Sequence, residues 1–115
     1  MSNISAKIFE AASTKPYGGF EIADDSYLYR SPFGQVDLFA SVFCTTVQSK
    51  WHTIAMIPDG FGPNTYRKVE ARVVNNDGTC TTIECYCYAN GNINVFNILP
   101  TGQYTIEVFG SYLIL

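Results

Sequence analysis

From about residue 27 onward, apolar and polar side chains alternate in short runs, and clusters of turn residues separate the runs. Alternation with a period of two sends one set of side chains to a core and the other outward, the mark of a half-buried strand. The strands read in this way are Tyr27–Arg30, Val36–Thr45, Trp51–Ile57, Lys68–Asn75, Thr79–Tyr88, Asn92–Ile98 and Tyr104–Ile114. Pro58-Asp59-Gly60-Phe61-Gly62-Pro63-Asn64 forms a long turn. Short strands at this spacing predict an antiparallel β-sandwich or a jelly-roll-like barrel. Residues 3–14 are the single helix-like stretch, with Ile4, Ile8 and Ala12 on one face. It is too short to be a stable helix alone, and Lys15-Pro16-Tyr17-Gly18-Gly19 ends it. The chain therefore divides into an arm or stalk remnant over residues 1–25 and a head domain over residues 26–115.

Two hairpins can be registered from the sequence. A two-residue loop at Asn90-Gly91 would mix polar and apolar side chains on each face. A three-residue loop, Ala89-Asn90-Gly91, pairs Cys87 with Ile93, Cys85 with Val95, Tyr86 with Asn94 and Tyr88 with Asn92. That register separates the faces, and Gly91 supplies the left-handed residue the loop needs. The same reasoning at Asn76-Asp77-Gly78 pairs Val73 with Thr81, Ala71 with Ile83 and Val69 with Cys85. The expected core face is Val69, Ala71, Val73, Ile83, Cys85, Cys87, Ile93 and Val95. Its reverse carries Glu70, Arg72, Thr82, Glu84, Tyr86, Tyr88, Asn92 and Asn94.

Composition narrows the function classes. Charged residues are 15% of the chain, and the 8 Tyr and 8 Phe must help to cover the surface or meet a partner. A net charge of −3 with no Lys/Arg cluster argues against nucleic acid as a partner. No apolar run reaches the roughly 18 residues of a membrane span, and the first residues show no apolar secretion signal. Cys44, Cys80, Cys85 and Cys87 are read as free thiols, Cys85 and Cys87 sharing one strand face as small buried apolar groups. A single His and no Cys-x-x-Cys give no zinc pattern. Asp24-Asp25 and Asn75-Asn76-Asp77-Gly78 lack calcium-loop spacing. No cofactor is expected.

From Gly34 onward the chain resembles the C-terminal receptor-binding heads of tail-fibre and baseplate proteins of phages that infect Gram-positive bacteria. The residues that carry this are Gly34-Gln35-Val36-Asp37-Leu38, then Trp51-His52-Thr53-Ile54-Ala55-Met56-Ile57-Pro58-Asp59-Gly60-Phe61-Gly62-Pro63, then the strand ending at Asn76-Asp77-Gly78, and finally Tyr88-Ala89-Asn90-Gly91-Asn92-Ile93-Asn94-Val95. The Ile-Pro-x-Gly-Phe-x-Pro segment is the most specific part, and the whole covers roughly residues 26–115. Phe109-Gly110-Ser111-Tyr112-Leu113 is also similar to the last strand of complement-type and tumour-necrosis-factor-like trimeric jelly rolls. The resemblance implies a homotrimeric β-sandwich head on a virion, made in the bacterial cytoplasm and joined to other fibre or baseplate proteins. It implies binding of host cell-wall saccharide without chemistry, and it places sugar near Glu84, Tyr86 and Asn94. A domain that only trimerises or caps a fibre is the alternative.

The residues themselves point to contacts of the same kind. Tyr86 and Tyr88 offer flat apolar faces to a pyranose, and Asn92 and Asn94 offer both donors and acceptors. With Glu84 and Arg72 they make up the candidate saccharide contacts. Glu70 and Glu84 fall opposite each other, a pairing that needs compensation, and Arg72 is the nearby cation expected to supply it. An ion-pair cluster is therefore expected there, rather than the paired acids of a glycosidase. His52 has no nucleophile or acid at a triad spacing, and Trp51 is expected to anchor a core or an interface.

Overall fold

The computed structural model describes residues 21–114 and, before them, the strand segments Ser5–Lys7 and Glu10–Ala11. These residues form ten strands and no helix: β1 (Ser5–Lys7), β2 (Glu10–Ala11), β3 (Glu21–Ile22), β4 (Tyr27–Arg30), β5 (Gln35–Thr46), β6 (Lys50–Met56), β7 (Arg67–Val74), β8 (Cys80–Cys87), β9 (Asn92–Asn97) and β10 (Gly102–Leu113). All seven strands read from the sequence are present. The helical periodicity of residues 3–14 is not realised at β1 and β2, which are extended, and the rest of that stretch lies outside the described residues. The physical reason is that a short lone helix is marginal, whereas a sheet edge offers unpaired backbone donors and acceptors.

Every pairing is antiparallel, in the order β1-β4-β5-β10-β7-β8-β9-β6-β2, with β3 attached to β5. The single sheet curls into a half-barrel around one core. β1 pairs with β4 at one edge and β2 with β6 at the other. Lys7 and Glu10 are only three residue steps apart, so the end of β1 and the start of β2 lie within roughly 11 Å of each other. The long strands β5 and β10 pair over twelve positions, from Gln35↔Leu113 to Thr46↔Gly102, and form the spine.

The core is the inward set of the alternation: Leu28, Val36, Leu38, Val42, Ile54, Val73, Ile93, Val95, Ile106 and Val108 are among its buried members. Both registered hairpins form as read, with Val69↔Cys85, Ala71↔Ile83, Val73↔Thr81, Cys85↔Val95 and Cys87↔Ile93. Tyr88 and Asn92 close the second one by a backbone bond of 2.9 Å. Every residue of the expected core face is buried.

The turn after β6 closes one end of the core. Phe61 is buried there. Its carbonyl accepts a 2.5 Å bond from the Tyr112 hydroxyl, and the Gly60 carbonyl accepts one of 2.6 Å from the Arg30 guanidinium. The Ile-Pro-x-Gly-Phe-x-Pro segment is thus a plug: Phe61 supplies apolar volume, and two side chains satisfy the carbonyls that an irregular backbone leaves open.

Candidate functional site

Strands β8, β9 and β6 turn their outward side chains to one surface. Tyr86 of β8 lies opposite Asn94 of β9, and Asn94 lies opposite Thr53 of β6. The Thr53 hydroxyl donates to Asn94 Oδ1 at 2.6 Å, which fixes the amide plane and leaves its nitrogen to donate elsewhere. Around this polar row runs a chain of aromatic rings. Trp51 lies 5.3 Å from Phe96 and 5.9 Å from Tyr86, between ring centres. Tyr86 in turn lies 5.9 Å from Tyr66 and 6.4 Å from Tyr88. Trp51 is 47% exposed and Tyr66 60%, so the rings present faces to solvent while bracing one another.

The surface brings together Tyr86, Tyr88 and Asn94, with Asn92 at the hairpin end of the same strand face. Glu84 lies on the same face of β8, opposite Glu70. Arg72 is corrected. It does not compensate that carboxylate pair: its guanidinium donates to Glu107 of β10 at 2.7 Å and sits 5.2 Å from the Phe109 ring centre. The strand order sets β10 beside β7 and so offers Arg72 a partner 35 residues away. Along β7, Arg72 is four residues from Lys68, the residue facing Tyr86, a separation of roughly 13 Å.

Trp51 points outward, which corrects the core half of its expected role as a core or interface anchor. A register shift in the β6–β9 pairing between Thr53 and Ala55 lets Ile54 and Ala55 both be buried, while Trp51 and Thr53 stay on the outer face. Tyr66 and Phe96 were not singled out in the sequence. Phe96 follows Asn94 by two positions and was legible by alternation; Tyr66 directly precedes β7, two positions before Lys68 and in phase with its outward face.

The remaining reactive groups have structural roles. His52 is buried, and its Nε2 accepts a 2.9 Å bond from the Val47 amide, tying down the β5–β6 turn. Burial pushes the thiols of Cys44 and Cys87 up to about 12, and that of Cys85 higher still, so all three stay protonated. Among the described residues no group of three or more His, Cys, Asp or Glu side chains is placed to hold a metal ion.

The curled antiparallel sheet has the fold of a solved phage head domain. A solved structure to which the chain is similar is the head domain of phage bIL170, from a study of the receptor-binding domains of lactococcal phages. The two share a TM-score of 0.71 over 98% of this chain and 100% of that one, at 18% sequence identity. No family model and no curated protein matches the chain.

Proposed function

We propose that this domain is a non-catalytic receptor-binding head of a phage or phage-like particle, recognising a saccharide on the host cell surface. The observation that carries this reading is the likeness to the bIL170 head domain over nearly all of both chains. The outer face of β8, β9 and β6 supplies suitable chemistry. Tyr86, Tyr88 and Trp51 offer apolar ring faces for sugar C–H groups, and Asn92, Asn94 and Glu84 offer donors and acceptors for hydroxyls. We read the head as a homotrimer carried on the virion by other fibre or baseplate proteins. Three sites per head and many heads per particle would turn weak single-site binding into firm attachment.

Attachment of the purified protein to candidate Gram-positive host cells tests this. Tyr86→Ala combined with Asn94→Ala is expected to cut attachment at least about ten-fold, with the solution mass unchanged. Failure to attach to any host tested sinks recognition as the function. The alternative, a domain that only trimerises or caps a fibre, draws on the same exposed Trp51 and Tyr66, which a neighbouring subunit could cover. It predicts that the double variant loses the oligomer.

A further inference from the structure

The other half of the sheet carries a second recess, formed by strands that the hairpin face does not include. It is an open cleft of about 460 Å³ on the outer side of β4, β5 and β10. That lies within the roughly 300–1,000 Å³ of small-molecule sites. Its aromatic walls are Tyr27, Tyr29 and Phe109, and its polar groups are Asp37 and Ser111. The register explains the gathering. Tyr29, Asp37 and Ser111 form one cross-strand row, and Tyr27, Phe39 and Phe109 form the next. The Tyr27 and Tyr29 rings lie 5.2 Å apart at 45°, each about two-fifths exposed.

We infer that this cleft is a second saccharide site, selective for a pyranose that carries no acid group. Ring faces on two sides suit the apolar faces of a sugar, and the Asp37 carboxylate can accept from two neighbouring hydroxyls. Asp37 is held in place by the Gln35 amide at 3.3 Å. Among the described residues no Lys or Arg lines the cleft. Arg72, whose guanidinium sits against the Phe109 ring, is committed to Glu107. A phosphate or carboxylate on the ligand would therefore meet Asp37 without compensation. The choice of saccharide as ligand class rests on the receptor-binding reading; the cleft and its selectivity rest on these residues.

The test is a nuclear magnetic resonance titration of the isotope-labelled chain with methyl glucoside, N-acetylglucosamine and a hexose phosphate, run beside cell attachment. Amide shifts at Tyr29, Asp37 and Ser111 are expected with the first two sugars, at dissociation constants on the order of 1 mM. Asp37→Asn, which keeps the side-chain shape, and Tyr29→Ala are each expected to weaken this binding about ten-fold, while Tyr86→Ala leaves it unchanged. Shifts confined to the Tyr86 face, no shifts with either neutral sugar, or tighter binding of the hexose phosphate would each overturn the inference. A silent cleft in a chain that still attaches to cells overturns the second site alone. Sugar in the cleft of a chain that attaches to no cell supports the cleft and overturns the receptor-binding reading.

Discussion

Two glycines with nearly the same backbone angle separate conformational strain from crowding. Gly78 has φ +87° and nothing within 4 Å of where a Cβ would stand, whereas Gly91 has φ +95° and would place that carbon 2.5 Å from the Ile57 carbonyl oxygen. The Gly91 carbonyl also accepts the Ile57 amide at 2.7 Å, so the two backbones cannot part without losing that bond. Gly78→Ala is expected to cost about 1 kcal/mol and Gly91→Ala about 3 kcal/mol or more in urea unfolding. Equal losses would refute the crowding argument. The cysteines give a second contrast: Cys80 is exposed and the other three are buried. A thiol reagent is expected to label one cysteine in the native protein and four after unfolding. Because burial raises the folded-state values of Cys44 and Cys87 from 9.0 to about 12, the unfolded chain releases protons that the folded chain keeps. Stability is therefore full below about pH 9 and falls above it, by about 2 kcal/mol for each of these thiols at about pH 10.5. Thermal unfolding at the two pH values measures the drop.

The segment between β6 and β7 behaves as a small structural unit. Phe61→Ala removes the plug and is expected to cost roughly 3–5 kcal/mol. Tyr112→Phe keeps the ring but leaves the Phe61 carbonyl without its hydroxyl partner, for a smaller loss of about 1 kcal/mol. Chemical denaturation of the two variants should preserve this order. Between β7 and β10, Arg72→Ala is expected to leave cell attachment intact, since the guanidinium is held by Glu107 away from Tyr86. A loss of attachment would count Arg72 among the saccharide contacts. Hairpins such as β7–β8 and β8–β9 were legible because a period of two and a glycine at the turn admit one register that separates the faces. The ion pair of Arg72 was not legible, because its partner arrives on a strand far along the chain.

For the whole molecule, the decisive quantity is the solution mass. Light scattering on a sizing column across a range of concentrations is expected to give a stable trimer. A strict monomer would leave a single-chain binding domain and remove the avidity argument. Placement of β1 and β2 on opposite edges of the sheet covers backbone groups that would otherwise invite edge-to-edge association. Removing residues 1–11 is therefore expected to lower solubility and shift the population toward irregular aggregates, visible in the same light-scattering experiment.

The sequence by itself determined the strands from Tyr27 onward, the two hairpin registers and the inward set from Val69 to Val95. These follow from side-chain alternation and turn chemistry, which act between residues close along the chain. It also drew Tyr86, Tyr88, Asn92 and Asn94 to one surface, because they lie on one hairpin. Tertiary structure decided what depends on strand order and on departures from ideal pairing. The shift after Thr53 buried Ala55 beside Ile54, β10 supplied the partner of Arg72, and the side-by-side packing of β4, β5 and β10 built the cleft of Tyr27, Tyr29, Asp37, Phe109 and Ser111. Those contacts join residues tens of positions apart, and alternation fixes which face a side chain takes but not which strand will lie beside it.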